Sequence, residues 1–388
     1  MRLHLILPVV EPNEFNKPII CPADGCEGKH FRLHQKVVKP LKDTVYREVM
    51  AHRYECLRCG RTFRVYPQGV SQAHTSQRVK GLAVMLYVLG LSYGAVSLTL
   101  EALGAYMSKS SVYETVQAAG RRVPGLRQGE VFAGVQTPAM GGDVTSVKCN
   151  GSWVQLGLTV DDISGLVLTV DELNAEDTET LLEWIEPIAA TVGCEVMVSD
   201  DADAFKGVAR KLELRHQVCK SHVVRNTQEL VESLAQAIKA GEDRSLEAIG
   251  IAPEEALVDL ERLVELIHSR QPEEESELEA LHLRYIKAPA PRKGQQASIA
   301  YRIRMLFLDR WELWRRLTLY RLWDGPEGER IDGTNNGAER AIGWWIKERY
   351  RSMRGYKRIE SILNVSRLIT WIGNHLGRGG ADLAMLVA

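Results

Sequence analysis

No run of about twenty apolar residues occurs anywhere in this chain of 388 residues, so no segment is long enough to cross a bilayer as a helix. The opening Met1-Arg2-Leu3-His4-Leu5-Ile6-Leu7 is broken at Pro8, too early for the apolar stretch of a secretory signal. No internal repeat or long low-complexity tract stands out, so a solenoid is not expected. Cysteines are few, seven in all, and four of them stand in two close pairs. That usage fits a metal site in a reducing cytosol better than a disulfide framework, with a cytoplasmic, nucleoid-associated location expected. A net charge is missing too: 49 Lys and Arg against 50 Asp and Glu leave −1.

What is present is an ordinary globular composition, 45% hydrophobic and 26% charged, long enough for two or three domains with a sizeable core. The near-zero charge hides an uneven distribution. Residues 1–128 carry 18 Lys and Arg against 9 Asp and Glu, and the stretch from Gly337 onward carries 9 against 4. The middle is correspondingly acidic. Basic ends around an acidic centre suit phosphate-binding arms on a metal-binding body.

Cys21-x4-Cys26 and Cys56-x2-Cys59 flank an alternating stretch, Phe31–Tyr54, that reads as strands. Two short-spaced thiolate pairs on hairpin knuckles supply a tetrahedral shell of four sulfurs for Zn²⁺. The first spacing is longer than the usual two residues. Gln77–Gly120 reads as three helices, the first ending at Gly90 and the second near Gly104, with Ser108–Ser111 capping a third over Val112–Ala119. Short helix, tight turn and a helix led by Lys and Ser make a helix-turn-helix pattern. Its last element would lie in the major groove with Lys109, Ser110, Ser111 and Tyr113 facing DNA. Gly120–Pro138 is the expected linker.

Beyond it, Met140–Cys149, Trp153–Val160 and Gly165–Val170 read as strands joined by short turns at Asn150-Gly151-Ser152 and Asp161–Ser164. Thr178–Thr191 reads as a helix, Glu195–Asp200 as a buried strand, Ala204–Leu212 as a helix and His216–Cys219 as a short strand. Three antiparallel strands followed by crossovers predict an α/β core with a mixed sheet. Residues 223–330 look wholly helical and include the acidic run Glu273–Glu279, expected to solvate a surface. Trp311, Trp314 and Trp323 fall in the same block. A tryptophan stripe at helical spacing reads as core rather than as a receptor for a flipped base.

Asp143 lies inside the first strand, Asp200 closes the fourth, and Glu339 opens a helix after the polar turn Asp332–Asn336. Carboxylates from two strands and one helix can converge at one sheet edge and hold two Mg²⁺ (or Mn²⁺) ions. Asp200, Asp201 and Asp203 are crowded, and the strand end favours Asp200. Cys219 and His222 at Cys-x2-His spacing have no second pair close by in the sequence. A structural pair, or a contact with a DNA end, is therefore expected there rather than zinc. After Glu339 come Arg340, Lys347, Arg349, Arg351 and Arg354, read as phosphate contacts beside Trp344 and Trp345.

The segments Gly142-Asp143-Val144-Thr145, Val198–Phe205, Val218-Cys219-Lys220-Ser221-His222 and Thr334-Asn335-Asn336-Gly337-Ala338-Glu339-Arg340, in this order, resemble DDE transposases of prokaryotic insertion sequences. Groups akin to the Mutator-like superfamily look most similar. The resemblance covers nearly the whole chain. It implies an RNase H-like catalytic domain interrupted by a helical insertion, with Asp143, Asp200 and Glu339 as the catalytic triad. The domains expected are a zinc ribbon (1–72), a helix-turn-helix domain (73–122), the core's first part (136–222), the insertion (223–330) and the core's last part (331–388). On this reading the chain binds terminal inverted repeats and target DNA, both double-stranded, as a homodimer or larger assembly. It cleaves and joins strands with Mg²⁺. The rivals are a catalytically silent, domesticated DNA-binding regulator and a nuclease that cuts without joining.

Overall fold

The computed structural model describes residues 4–126, 135–241, 243–353, 356–376 and 380–388. The chain divides into two compact units. The first comprises Met1–Ala133, Val147–Val154 and Ala341–Ala388; the second comprises Gly134–Ser146 and Gln155–Arg340. The segment read as the last part of the core, 331–388, is thus shared between them.

In the first unit, Phe31–Pro40, Glu48–Cys56 and Thr62–Val65 form a three-stranded antiparallel sheet. The alternating Thr44–Arg47, read as strand, is instead a turn built on Asp43. That carboxylate is fully buried. Its Oδ1 accepts the N–H groups of Val45 (2.9 Å) and Tyr46 (3.1 Å) and faces Arg78 Nη1 at 3.2 Å. Its Oδ2 accepts the Ser76 hydroxyl at 2.6 Å. An Asp side chain that bonds local backbone donors competes with strand pairing, and here it wins.

Three helices follow: Gln77–Val88, Tyr93–Ala102 and Lys109–Arg121. Each is opened by a serine, Ser76, Ser92 and Ser108, whose hydroxyl accepts the N–H three residues on. Val79, Ala83, Val96, Leu100, Val112 and Val116 are buried between them. The third helix carries Gly120 where a β-carbon would lie 2.3 Å from the Asn364 carbonyl oxygen. Glycine there lets the helix Ile359–Asn374 approach, and Asn364 Nδ2 donates to Gln117 Oε1 at 3.0 Å across the contact. A helix-interior glycine costs about 1 kcal/mol relative to alanine, a penalty that this packing offsets.

The second unit is mixed α/β. Its five-stranded mixed sheet runs in the order Arg215–Val218, Val196–Ser199, Ala139–Cys149, Ser152–Asp161, Val167–Leu173. The first three strands are parallel; the last two pair antiparallel. Asn150 (φ 48°) and Gly151 (φ 91°) turn the chain between Ala139–Cys149 and Ser152–Asp161 with both residues left-handed, as a two-residue hairpin requires. Thr178–Val192 is capped by Asp177 and ends at Gly193, φ 72°. Helices Lys220–Ala240, Pro253–Ser269, Glu275–Arg284 and Ile299–Leu317 enclose a core of their own around Leu260, Leu263, Leu278, Tyr285, Phe307 and Trp314. Trp314 and Trp323 are fully buried, as core residues are. The acidic run is partly neutralised in place: Glu277 takes Arg262 at 2.6 and 2.9 Å, and Glu275 takes Arg315 at 3.0 Å. No helix among the described residues is long and apolar enough to cross a membrane.

Removing one member of a buried charged network leaves the others unsatisfied. Asp43→Ala should therefore lower the unfolding free energy of the first unit by about 3 kcal/mol, read from urea titrations. A loss of only a few tenths would show that the turn does not organise that region.

Candidate functional site

The parallel strands Ala139–Cys149 and Val196–Ser199 pair with Ala139 beside Val196 and Gly141 beside Val198. Asp143 lies two residues beyond Gly141 in its strand, whereas the neighbouring strand stops at Ser199, so Asp200 follows directly after its end rather than closing it. Both aspartates are half-buried. Asp143 Oδ1 accepts the Val144 N–H (2.8 Å), and Asp200 Oδ1 accepts the Ala202 N–H (3.1 Å). The neighbours of Asp200 are otherwise engaged: Asp201 pairs with Lys206 at 2.7 Å, and Asp203, in the first turn of Asp203–Lys211, is almost wholly exposed.

The third carboxylate arrives through a folded turn. Asp332 Oδ1 accepts the N–H (2.7 Å) and hydroxyl (2.6 Å) of Thr334. Gly333 sits at φ 75°, its carbonyl accepting the Lys220 N–H at 2.9 Å. Asn335, buried, then ties three elements together. Its N–H donates to Cys219 Sγ (3.3 Å), its Nδ2 to the Gly142 carbonyl (3.1 Å), and its own carbonyl accepts the Glu339 N–H (3.0 Å). Glu339 lies in the first turn of Asn336–Ala341, one helical turn beyond Asn335. Gly141 is required beside it: a β-carbon there would come within 2.8 Å of Val160 Cγ2 and 3.3 Å of Asn335 Oδ1.

Among the described residues, two sets of ligand atoms gather within 4.8 Å of one another. One is Cys21, Cys26, Cys56 and Cys59; the other is Cys219, His222 and Glu339. Asp143, Asp200 and Glu339 do not form such a set. Glu339 Oε1 instead lies 3.7 Å from His222 Nδ1. In the cysteine set, Cys21 and Cys59 are 3.8 Å apart at sulfur, as are Cys26 and Cys56. A tetrahedral Zn²⁺ with bonds near 2.3 Å spaces its sulfurs by about 3.8 Å, so this group could hold zinc. The Cys56 thiol is drawn down to about 7, chiefly by the Cys59 N–H.

Three titratable groups that sequence reading passes over lie in the same unit. Burial pushes Asp162 up to about 7, helped by the charges of Asp332 and Asp161; a β-carbon at either Gly141 or Gly337 would sit 3.7 Å from its Oδ1. Burial, then the charge of Asp200, raises Glu176. Burial drives His216 down to about 3, with Arg316 and Lys206 adding to the effect, so the ring is neutral; its Nε2 meets the Ser199 hydroxyl at 2.9 Å. None of the three has a motif signal, because each shift arises from what folding places beside it.

Several residues read as DNA contacts are used internally. Tyr113 is half-buried, bonds Ser361 through its hydroxyl (2.9 Å) and is edge-on to Tyr93. Ser111 is half-buried, with its hydroxyl 2.9 Å from that of Ser108. Arg349 is only 6% exposed: its guanidinium lies 4.1 Å from the Tyr87 ring centre, and Nη2 donates to the Leu91 carbonyl (3.0 Å). Charge alone gave no hint of that burial. Lys109, Ser110, Arg340, Lys347 and Arg351 are exposed, Arg351 pairing loosely with Glu348; Trp344 is exposed too. Arg354 lies outside the described residues.

No family model matches the chain, and no curated protein does. Weak structural neighbours among solved structures are retroviral integrase catalytic cores. The magnesium complex of the HTLV-2 integrase core in its dimeric form is 20% identical, over 26% of this chain and 73% of that one, at a TM-score of 0.19. The BIV integrase core is 12% identical, over 50% and 90%, at 0.19. Overlaps this loose assign no residue, and the site rests on its own geometry.

Asp162 gives a pH test. Its folded value, about 7, exceeds the ordinary 3.8, so the folded state holds an extra proton between those limits. That contribution is complete below pH 4 and is lost as pH rises through 7. Asp162→Asn should gain on the parent by roughly 2 kcal/mol from pH 4 to 8 in urea midpoints, after allowance for solvent screening. Parallel pH profiles for the two proteins would refute the buried, protonated carboxyl.

Proposed function

We propose that this protein is a DNA transposase of the DDE type, with an RNase H-like core in which Asp143, Asp200 and Glu339 hold the catalytic metal ions. The observation that carries the reading is Asn335. It joins the Gly142 carbonyl, one residue from Asp143, to the turn that launches Glu339. Asp200, directly after the neighbouring strand Val196–Ser199, is the second aspartate of this reading. Sequence order supports this set of carboxylates, and the Asn335 bridge supports bringing Glu339 toward the strand that carries Asp143.

When bound, Mg²⁺ would supply Lewis-acid stabilisation of the attacked phosphate and activation of water or a 3′-hydroxyl. The half-buried carboxylates of Asp143, within its strand, and Asp200, just after the neighbouring one, suit that hard, oxygen-preferring ion. Two ions about 3.5–4 Å apart do not require all three carboxylates to touch, which suits the wider placement of Glu339. The chain's own work is to hold the carboxylates rigidly and to orient DNA. Exposed Arg340, Lys347 and Arg351 are cations suited to phosphates, and exposed Trp344 is an aromatic suited to stacking on a base.

The cysteine cluster on its antiparallel sheet is proposed as a zinc ribbon. The three serine-capped helices are proposed as a helix-turn-helix that reads terminal inverted repeats through Lys109 and Ser110 rather than Tyr113. Pairing two DNA ends calls for a homodimer or larger assembly.

Asp143→Asn and Asp200→Asn should each reduce Mg²⁺-dependent cleavage of DNA carrying the gene's own flanks by at least about 1000-fold while leaving binding within about twofold. Both variants cutting normally would remove the catalytic assignment. Cutting without strand joining by the parent would favour a nuclease, and binding without cutting a regulator. Cys56→Ser should release the ribbon's zinc, measured by metal content, and abolish selective end binding. Retained zinc and selectivity would separate that cluster from DNA recognition.

A further inference from the structure

We propose that Cys219, His222 and Glu339 form a binding site for a borderline divalent cation of the Zn²⁺ class, distinct in chemistry from an all-oxygen Mg²⁺ site. Cys219 ends the strand–helix junction after Arg215–Val218, and His222 follows in the first turn of Lys220–Ala240. Glu339 comes from the helix Asn336–Ala341, more than a hundred residues later. Sequence spacing hides the third member; the fold brings it in.

Three observations converge. The sulfur, imidazole and carboxylate ligand atoms all lie within 4.8 Å of one another. His222 Nδ1 is shielded from solvent and makes no hydrogen bond among the described residues, yet it sits 3.7 Å from Glu339 Oε1. That distance is too long for a hydrogen bond but close to the spacing of about 3.4 Å between nitrogen and oxygen ligands on one tetrahedral zinc. Cys219 is fully buried, and the Asn335 N–H donates to its sulfur at 3.3 Å. Such an outer donor orients a metal-ligating sulfur and steadies its negative charge.

Ligand softness decides the ion. Mg²⁺ seeks oxygen and keeps its waters, whereas a sulfur–nitrogen–oxygen triad suits Zn²⁺ or Co²⁺. Three protein ligands leave a fourth position open, as in catalytic rather than structural zinc sites. Glu339 and His222 are partly exposed, 40% and 33% at the side chain, so that position can be reached by water or a phosphate oxygen. This inference stands on the triad alone and does not need Asp143 or Asp200 to be catalytic.

The test titrates Co²⁺ into the full-length protein with its N-terminal cysteines kept zinc-loaded. A sulfur-to-cobalt charge-transfer band should appear and saturate at one added equivalent. Cys219→Ser should lose the band. His222→Ala, which keeps the thiol, and Glu339→Gln should each weaken Co²⁺ binding by tenfold or more, with unchanged circular dichroism certifying the fold. Asp143→Asn should leave the band intact. No band in the parent, or a band that survives Cys219→Ser, overturns the site whatever the protein does to DNA. A band in a protein that never cuts DNA with Mg²⁺ keeps the site and sinks the transposase reading instead.

Discussion

The hydrogen bonds of Asn335 are the constraint on which the second unit's chemistry depends. One buried residue spends its N–H on Cys219, its amide on the Gly142 carbonyl and its carbonyl on Glu339. Each partner belongs to a different element, so the central strand, the strand–helix junction and the returning helix are positioned by a single side chain and its backbone. Buried polar groups of this kind are costly if left unmet and specific when satisfied. Gly141 on the strand carries no β-carbon to intrude on Val160 and Asn335. The site is set by close backbone approach first and by side-chain chemistry second.

The two metal sites proposed above both draw on residues of the second unit. Asp143 and Asp200 are hard oxygen donors, while the groups that the fold brings near Glu339 are a thiol and an imidazole. Around them, the electrostatics are those of crowded acids: Asp162 is raised by burial and by Asp332 and Asp161, and Glu176 by burial and Asp200. Like charges gathered in a partly dehydrated place favour a cation there over a neutral ligand. In the first unit the same physics works differently. Asp43 meets Arg78 and three donors and serves to hold a turn.

Much of this was legible in the sequence where periodicity and local chemistry act alone. The strand Ala139–Cys149, the Asn150-Gly151 turn, the helix Thr178–Val192 and the three helices from Gln77 onward follow from alternation, turn residues and serine caps. The cysteine pairs announced their own convergence. What could not be read depended on partners distant in the chain. Arg349 looked like a phosphate contact because charge usually means surface, yet Tyr87 and the Leu91 carbonyl receive it. Tyr113 looked outward until Ser361, 248 residues on, claimed its hydroxyl. Cys219 and His222 lacked a further ligand in their own neighbourhood, and Glu339 comes near them from far along the chain. Asp43 defeated an alternating pattern with hydrogen bonds that no periodicity encodes.

That helical block also orders events in time. It has its own apolar core around Leu260, Phe307 and Trp314, and it stands in the chain between the two aspartates and Asn335. A ribosome adding about 5–20 residues per second needs roughly seven to thirty seconds to pass from Asp200 to Glu339. Through that interval the nascent chain holds both aspartates without the residue that ties the returning helix to them. Whatever chemistry the cluster performs is withheld until the chain has been made through Glu339. The insertion therefore acts as a delay, written into chain order, between building the sheet and arming it.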